Sequence, residues 1–129
     1  MFKQDEIKFQ KIKDIGLKEQ KILAVLVFGS YIRKEYYRDI DICIIFYPEI
    51  DEGIKFKEMI KFSSNLSTFF DISFFTDLPL YVRSRVIKEG KILFNKDYEL
   101  LFEIYMKTIK DYSLFKPHFD IFLEAVKNG

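Results

Sequence analysis

The spacing of apolar positions changes several times along this chain, and each change marks an element. Residues 3–15 set Ile7, Ile12 and Ile15 among charged neighbours at helical spacing, with Gly16 as the expected terminator. Ile22–Phe28 is a continuous apolar run closed by Gly29. A run this short and this rich in branched residues predicts a buried strand, and Ile40–Phe46 predicts a second. Between them, Gly29-Ser30 is expected to open a short helix leading into a polar stretch rich in Tyr and Arg. The Pro, Gly and acidic residues of 47–53 predict a loop, and 54–66 return to helical spacing through Ile54, Met59, Ile60 and Leu66. Phe69–Phe75 reads as a third strand. Asp77 is then expected to cap a helix that has Pro79 in its first turn and ends at Gly90. Lys91–Phe94 reads as a fourth strand. Helical spacing fills the rest, with a break expected at Pro117 between helices near 97–112 and 117–127.

Strands alternating with helices predict an α/β (α+β) fold, a small mixed sheet of about four strands flanked by helices. No Pro/Gly/Ser-rich linker interrupts the 129 residues, so the expectation is one domain with its core near 20–95 and C-terminal helices near 97–128. A hydrophobic fraction of 49% against 32% charged residues excludes a disordered chain. The apolar runs are far shorter than the ~20 residues of a membrane helix, so no membrane association is expected. The N-terminal residues lack a basic segment followed by an apolar core, and the expected compartment is the cytoplasm. A net charge of +1 offers no bulk attraction to nucleic acid. One cysteine, Cys43, and one histidine, His118, argue against a disulfide framework or a Cys/His zinc site.

The candidate chemistry lies in Val27-Phe28-Gly29-Ser30 and, eight residues on, Asp39-Ile40-Asp41. Alternation along a strand points Asp39 and Asp41 the same way, with Cα atoms about 7 Å apart, a spacing suited to hard cations. Ile40, Ile42 and Ile44 then face the core, while Cys43 and Ile45 continue the carboxylate face beneath a helix. Glycine lets a backbone approach a phosphate, and N–H groups at a helix start favour an anion. The Ser30 hydroxyl can bond a phosphate oxygen, and Arg33, Lys34 and Arg38 are candidate phosphate contacts. A third acid, Asp71, interrupts the apolar run 69–75, where an uncompensated carboxylate is costly. If its strand neighbours that of Asp39 and Asp41, three carboxylates cluster and call for a divalent cation. Each feature also has a plainer reading: a turn at Gly29-Ser30, solvated acids at a strand end, loop packing for Tyr31, Tyr36 and Tyr37, and a buried apolar Cys43.

Taken together, strand, Gly-Ser, short helix and Asp-x-Asp on the next strand resemble the signature of the DNA polymerase β-like nucleotidyltransferase superfamily. The small size is similar to that of its minimal nucleotidyltransferases (MNT), the MntA-type proteins. The likeness continues through Asp71-Ile72-Ser73, Leu78-Pro79 and Arg85–Phe94 and covers about residues 10–95. It departs from the family where the Gly-Ser to Asp-x-Asp gap is shorter than in many members. Ile32-Arg33-Lys34 also stands where Ala-Arg-Gly is common, and Arg38 precedes Asp39 in place of Ser.

The resemblance implies that Gly29, Ser30 and Arg33 hold the triphosphate of ATP. It implies that Asp39, Asp41 and Asp71 bind two Mg²⁺ ions, with Asp71 also activating the attacking hydroxyl. The activity it implies is transfer of AMP from ATP to a hydroxyl. Minimal nucleotidyltransferases commonly accompany a HEPN-domain toxin and adenylylate one of its tyrosines, so a HEPN partner and an antitoxin role follow. The alternatives are a binding module that neutralises its partner by contact, or transfer to a small molecule.

Overall fold

The computed structural model describes residues 3–65 and 69–128. In chain order the elements are α1 (Lys3–Lys18), β1 (Ile22–Phe28), β2 (Ile40–Phe46), α2 (Glu52–Asn65), β3 (Phe70–Phe74), a 3₁₀ turn (Phe75–Asp77), α3 (Leu80–Glu89), β4 (Lys91–Asn95) and α4 (Tyr98–Asn128). The four strands form one mixed sheet in the order β3-β2-β1-β4. β1 lies antiparallel to both β2 and β4, and β2 runs parallel to β3. The mixed sheet flanked by helices agrees with the architecture expected from the spacing.

Every residue of β1 is buried, and β2 is buried but for Asp41, because helices cover both faces of the sheet centre. On one face Phe9 and Ile12 of α1 and Phe62 of α2 pack over Val25, Val27, Ile40, Ile42 and Ile44. On the other, Val86 of α3 and Leu101 of α4 cover Leu26, Phe28, Cys43 and Ile45. Burying each large aliphatic side chain contributes about 1.5–3 kcal/mol, so these two layers dominate stability. A register shift between Ile22 and Ala24 accompanies the consecutive burial of Leu23 and Ala24 on the second face. Side-chain oxygens start two helices: Asp51 accepts from the Ile54 N–H at 2.9 Å, and Asp97 accepts from Leu100 at 3.1 Å.

Four local expectations are corrected. Gly16 does not end α1 but lies within it, and its glycine leaves room for the Phe94 ring, which a Cβ there would overlap. Asp77 does not cap α3: Pro79 holds the cap position without a side-chain bond, and Asp77 pairs at 2.8 Å with the buried Lys55. The stretch after Gly29-Ser30 is a single closed turn rather than a helix. Pro117 does not divide the C-terminal region, and α4 runs through it for 31 residues. Its distal half is held by Lys116–Asp120 at 2.7 Å and by Phe119 stacked on Tyr81 of α3 at 5.2 Å. Leu66, placed on the second helix by its spacing, lies outside the described residues.

Candidate active site

β1 ends at Phe28, whose register partner on β2 is Asp41. Gly29 follows with φ +80°, a conformation that costs an L-residue about 1–2 kcal/mol. A Cβ at that position would also overlap the Asp41 carboxylate. Backbone freedom and clearance therefore both require glycine here.

From Gly29 the chain makes one tight turn. The Arg33 N–H donates to the Gly29 carbonyl at 3.1 Å, Glu35 to Ser30 at 3.0 Å, and Lys34 to Tyr31 at 3.2 Å. Lys34 has φ +60°. The paired six-to-one and five-to-two bonds around a left-handed residue are those of a Schellman closure, which stops a helix after one turn. Lys34 thus occupies the conformation that glycine usually supplies. Tyr31 and Tyr37 pack edge to face at 5.1 Å, and Tyr31 also meets Phe9, so these two rings serve loop packing. Tyr36 is exposed.

The turn aims Arg33 back over its own start. One guanidinium nitrogen lies 3.5 Å from Ser30 Oγ. The other groups bind Glu35 at 3.0 Å and Glu89 at 2.6 Å. Both acids hold the Arg33 pKa above its ordinary value. Glu89 was not among the site residues expected from the sequence, although its position carries a signal. An acid in the last turn of α3 opposes the helix dipole and calls for a cation.

Asp41 and Asp71 are direct register partners on the parallel strands β2 and β3, so their side chains leave the sheet on one face. Asp41 is half-buried and Asp71 exposed; Asp39 is half-buried just before β2. Burial and then the neighbouring Asp71 push the Asp41 carboxyl up to about 6, with Arg33 opposing and Asp39 adding to the rise. Cys43, next on that face, is fully buried and its thiol is pushed far up by burial, which matches its reading as an apolar residue. His118 is exposed on α4.

Among the described residues, no three His, Cys, Asp or Glu side chains stand grouped as a metal site. The donor chemistry nonetheless suits a hard divalent cation. All three acids offer oxygen, and the repulsion that raises Asp41 is what such an ion would relieve.

The family described as "Polymerase beta, Nucleotidyltransferase" matches residues 10–99. A Methanocaldococcus jannaschii protein provisionally named a protein adenylyltransferase is 33% identical over 82 residues. That match spans 62% of each chain, so less than two thirds of the relative's length is covered. Among solved structures, one described as tri-AMPylated Shewanella oneidensis HEPN toxin in complex with MNT antitoxin has TM-score 0.70 and 21% identity. It covers 95% of this chain and 98% of the matched one. A toxin–antitoxin structure with AMP-PNP gives TM-score 0.70 at 20% identity, covering 98% and 99%. At these identities the solved structures establish the fold. The family match takes in the whole sheet, the Gly29-Ser30 turn and all three carboxylates, and this chain belongs to the polymerase β-type nucleotidyltransferase family.

Proposed function

We propose that this protein transfers AMP from ATP to a tyrosine hydroxyl of a HEPN-type partner, as an antitoxin of the MNT class. The observation that carries the reading is the convergence at one sheet end of Asp41 and Asp71 with the Gly29-Ser30 turn. The relative's name supports a protein acceptor, and the structural neighbours support a HEPN partner and an adenine nucleotide.

In this reading the turn at Gly29 and Ser30 receives the triphosphate, because the first N–H groups of a helical turn have no acceptor within it. Arg33, oriented by Glu35 and Glu89, adds a fixed positive charge beside Ser30. Asp39, Asp41 and Asp71 would hold Mg²⁺, which when bound supplies charge neutralisation at the phosphates. Asp71, the most exposed of the three acids, takes the proton from the incoming hydroxyl. The hydroxyl oxygen forms a bond to the α-phosphorus of ATP. The bond from that phosphorus to the oxygen bridging to the β-phosphate breaks, and pyrophosphate leaves.

The test uses α-phosphate-labelled ATP, Mg²⁺ and the co-expressed HEPN neighbour. Wild type is expected to label that protein on tyrosine, and Asp39→Asn/Asp41→Asn is expected to abolish the label. Neutralisation of the partner by a folded double variant, with no label in either case, would instead establish a contact-only antitoxin.

A further inference from the structure

Outside the carboxylate site, residues of α3 and α4 line an open groove of about 590 Å³. Its α3 wall is a straight stripe, Tyr81, Arg85 and Lys88, at helical spacing. Its α4 wall is Tyr112, Lys116 and Phe119. Tyr81 and Phe119 stack at 5.2 Å with planes 12° apart, which gives the groove an aromatic wall. Lys116 is paired with Asp120, while no ion-pair partner for Arg85 or Lys88 is found among the described residues.

The groove is linked to the carboxylate site. Glu89 lines it and also binds Arg33, which reaches Ser30. A chain lying along α3 past Lys88 would therefore arrive at the turn beside Asp41.

We infer that the α3–α4 groove docks the acceptor protein through an acidic segment carrying an aromatic residue, leading its hydroxyl to the carboxylate site. The inference rests on the proposed protein adenylylation. Two uncommitted cations beside aromatic faces complement acidic side chains flanking an aromatic ring. Single-stranded nucleic acid is disfavoured, because the chain's net charge is only +1.

The full-length protein is titrated with a fluorescent random Glu–Tyr copolymer, without metal or nucleotide. A Lys–Tyr copolymer and a single-stranded RNA oligonucleotide are run alongside. Wild type is expected to bind the acidic copolymer alone. Arg85→Glu/Lys88→Glu, two exposed positions, is expected to weaken binding at least about tenfold, while Arg85→Lys/Lys88→Arg restores it. Labelling of the co-expressed HEPN neighbour from α-phosphate-labelled Mg-ATP is measured on the same proteins and is expected to fall with copolymer binding in the charge-reversed variant. Unchanged copolymer binding in the charge-reversed variant, or tighter binding of RNA than of copolymer, overturns the inference. Absence of label on the HEPN neighbour with wild type, with groove binding intact, overturns the proposed chemistry and leaves acidic-segment docking standing.

Discussion

Asp41 works against the fold that carries it. Its carboxyl is raised to about 6, by burial first and by Asp71 second. The folded state therefore holds its proton more tightly than the unfolded chain, whose Asp titrates near 3.9. This stabilisation is complete below about pH 4 and is lost as pH rises through about 6. Asp41→Asn is expected to raise the melting temperature of the metal-free protein at pH 7.5 and to flatten its change between pH 5 and 7. Thermal unfolding by circular dichroism checks both, and the same variant is expected to be inactive. Lys34 presents a second conflict, a lysine held at φ +60°. Lys34→Gly is expected to stabilise by up to about 1 kcal/mol in urea titrations, since glycine reaches this conformation without the Cβ penalty. Gly29→Ala is expected to do the reverse, at about 1–2 kcal/mol from backbone strain before its overlap with Asp41 is added.

The elements place these residues, and α4 shows how tertiary contacts overrule a local signal. A proline inside a helix removes one backbone bond and costs about 3 kcal/mol. Here Pro117 sits two residues before Phe119, and the Phe119–Tyr81 stack and the Lys116–Asp120 pair hold the helix across it. Pro117→Ala is expected to slow amide exchange across residues 113–124 more than elsewhere, read by hydrogen–deuterium exchange. Gly16 carries a similar lesson. It looks like a helix stop because glycine usually supplies one, yet it is where the ring of Phe94 from β4 meets α1.

At the scale of the molecule, the two-sided sheet and the distal half of α4 are separable in energy. The buried residues of α4 are Leu101, which packs in the second core layer, and Thr108. Beyond Tyr112, most side chains are exposed, with Leu114, Ile121, Phe122 and Val126 all at least 60% accessible. A chain ending at Ser113 loses the aromatic stack but none of the sheet core. It is expected to unfold cooperatively, with stability reduced by about 1–2 kcal/mol in urea titration.

β1 and β2 were legible because a strand covered on both faces is almost wholly apolar, and the runs 22–28 and 40–46, the second broken only by Asp41, match them residue for residue. The chain itself also set the faces: alternation sends Asp41 one way and Ile40 and Ile42 the other, and burial follows that division. Its order could not say that Asp71 stands opposite Asp41, since strand pairing is decided by long-range packing. Nor could it say that Glu89 orients Arg33, 56 residues away, or that Asp77 serves Lys55 rather than a helix start. Residue type and spacing determine local conformation and the face a side chain leaves from. Which charged groups then neutralise one another depends on which faces meet, and only the packed tertiary structure decides that.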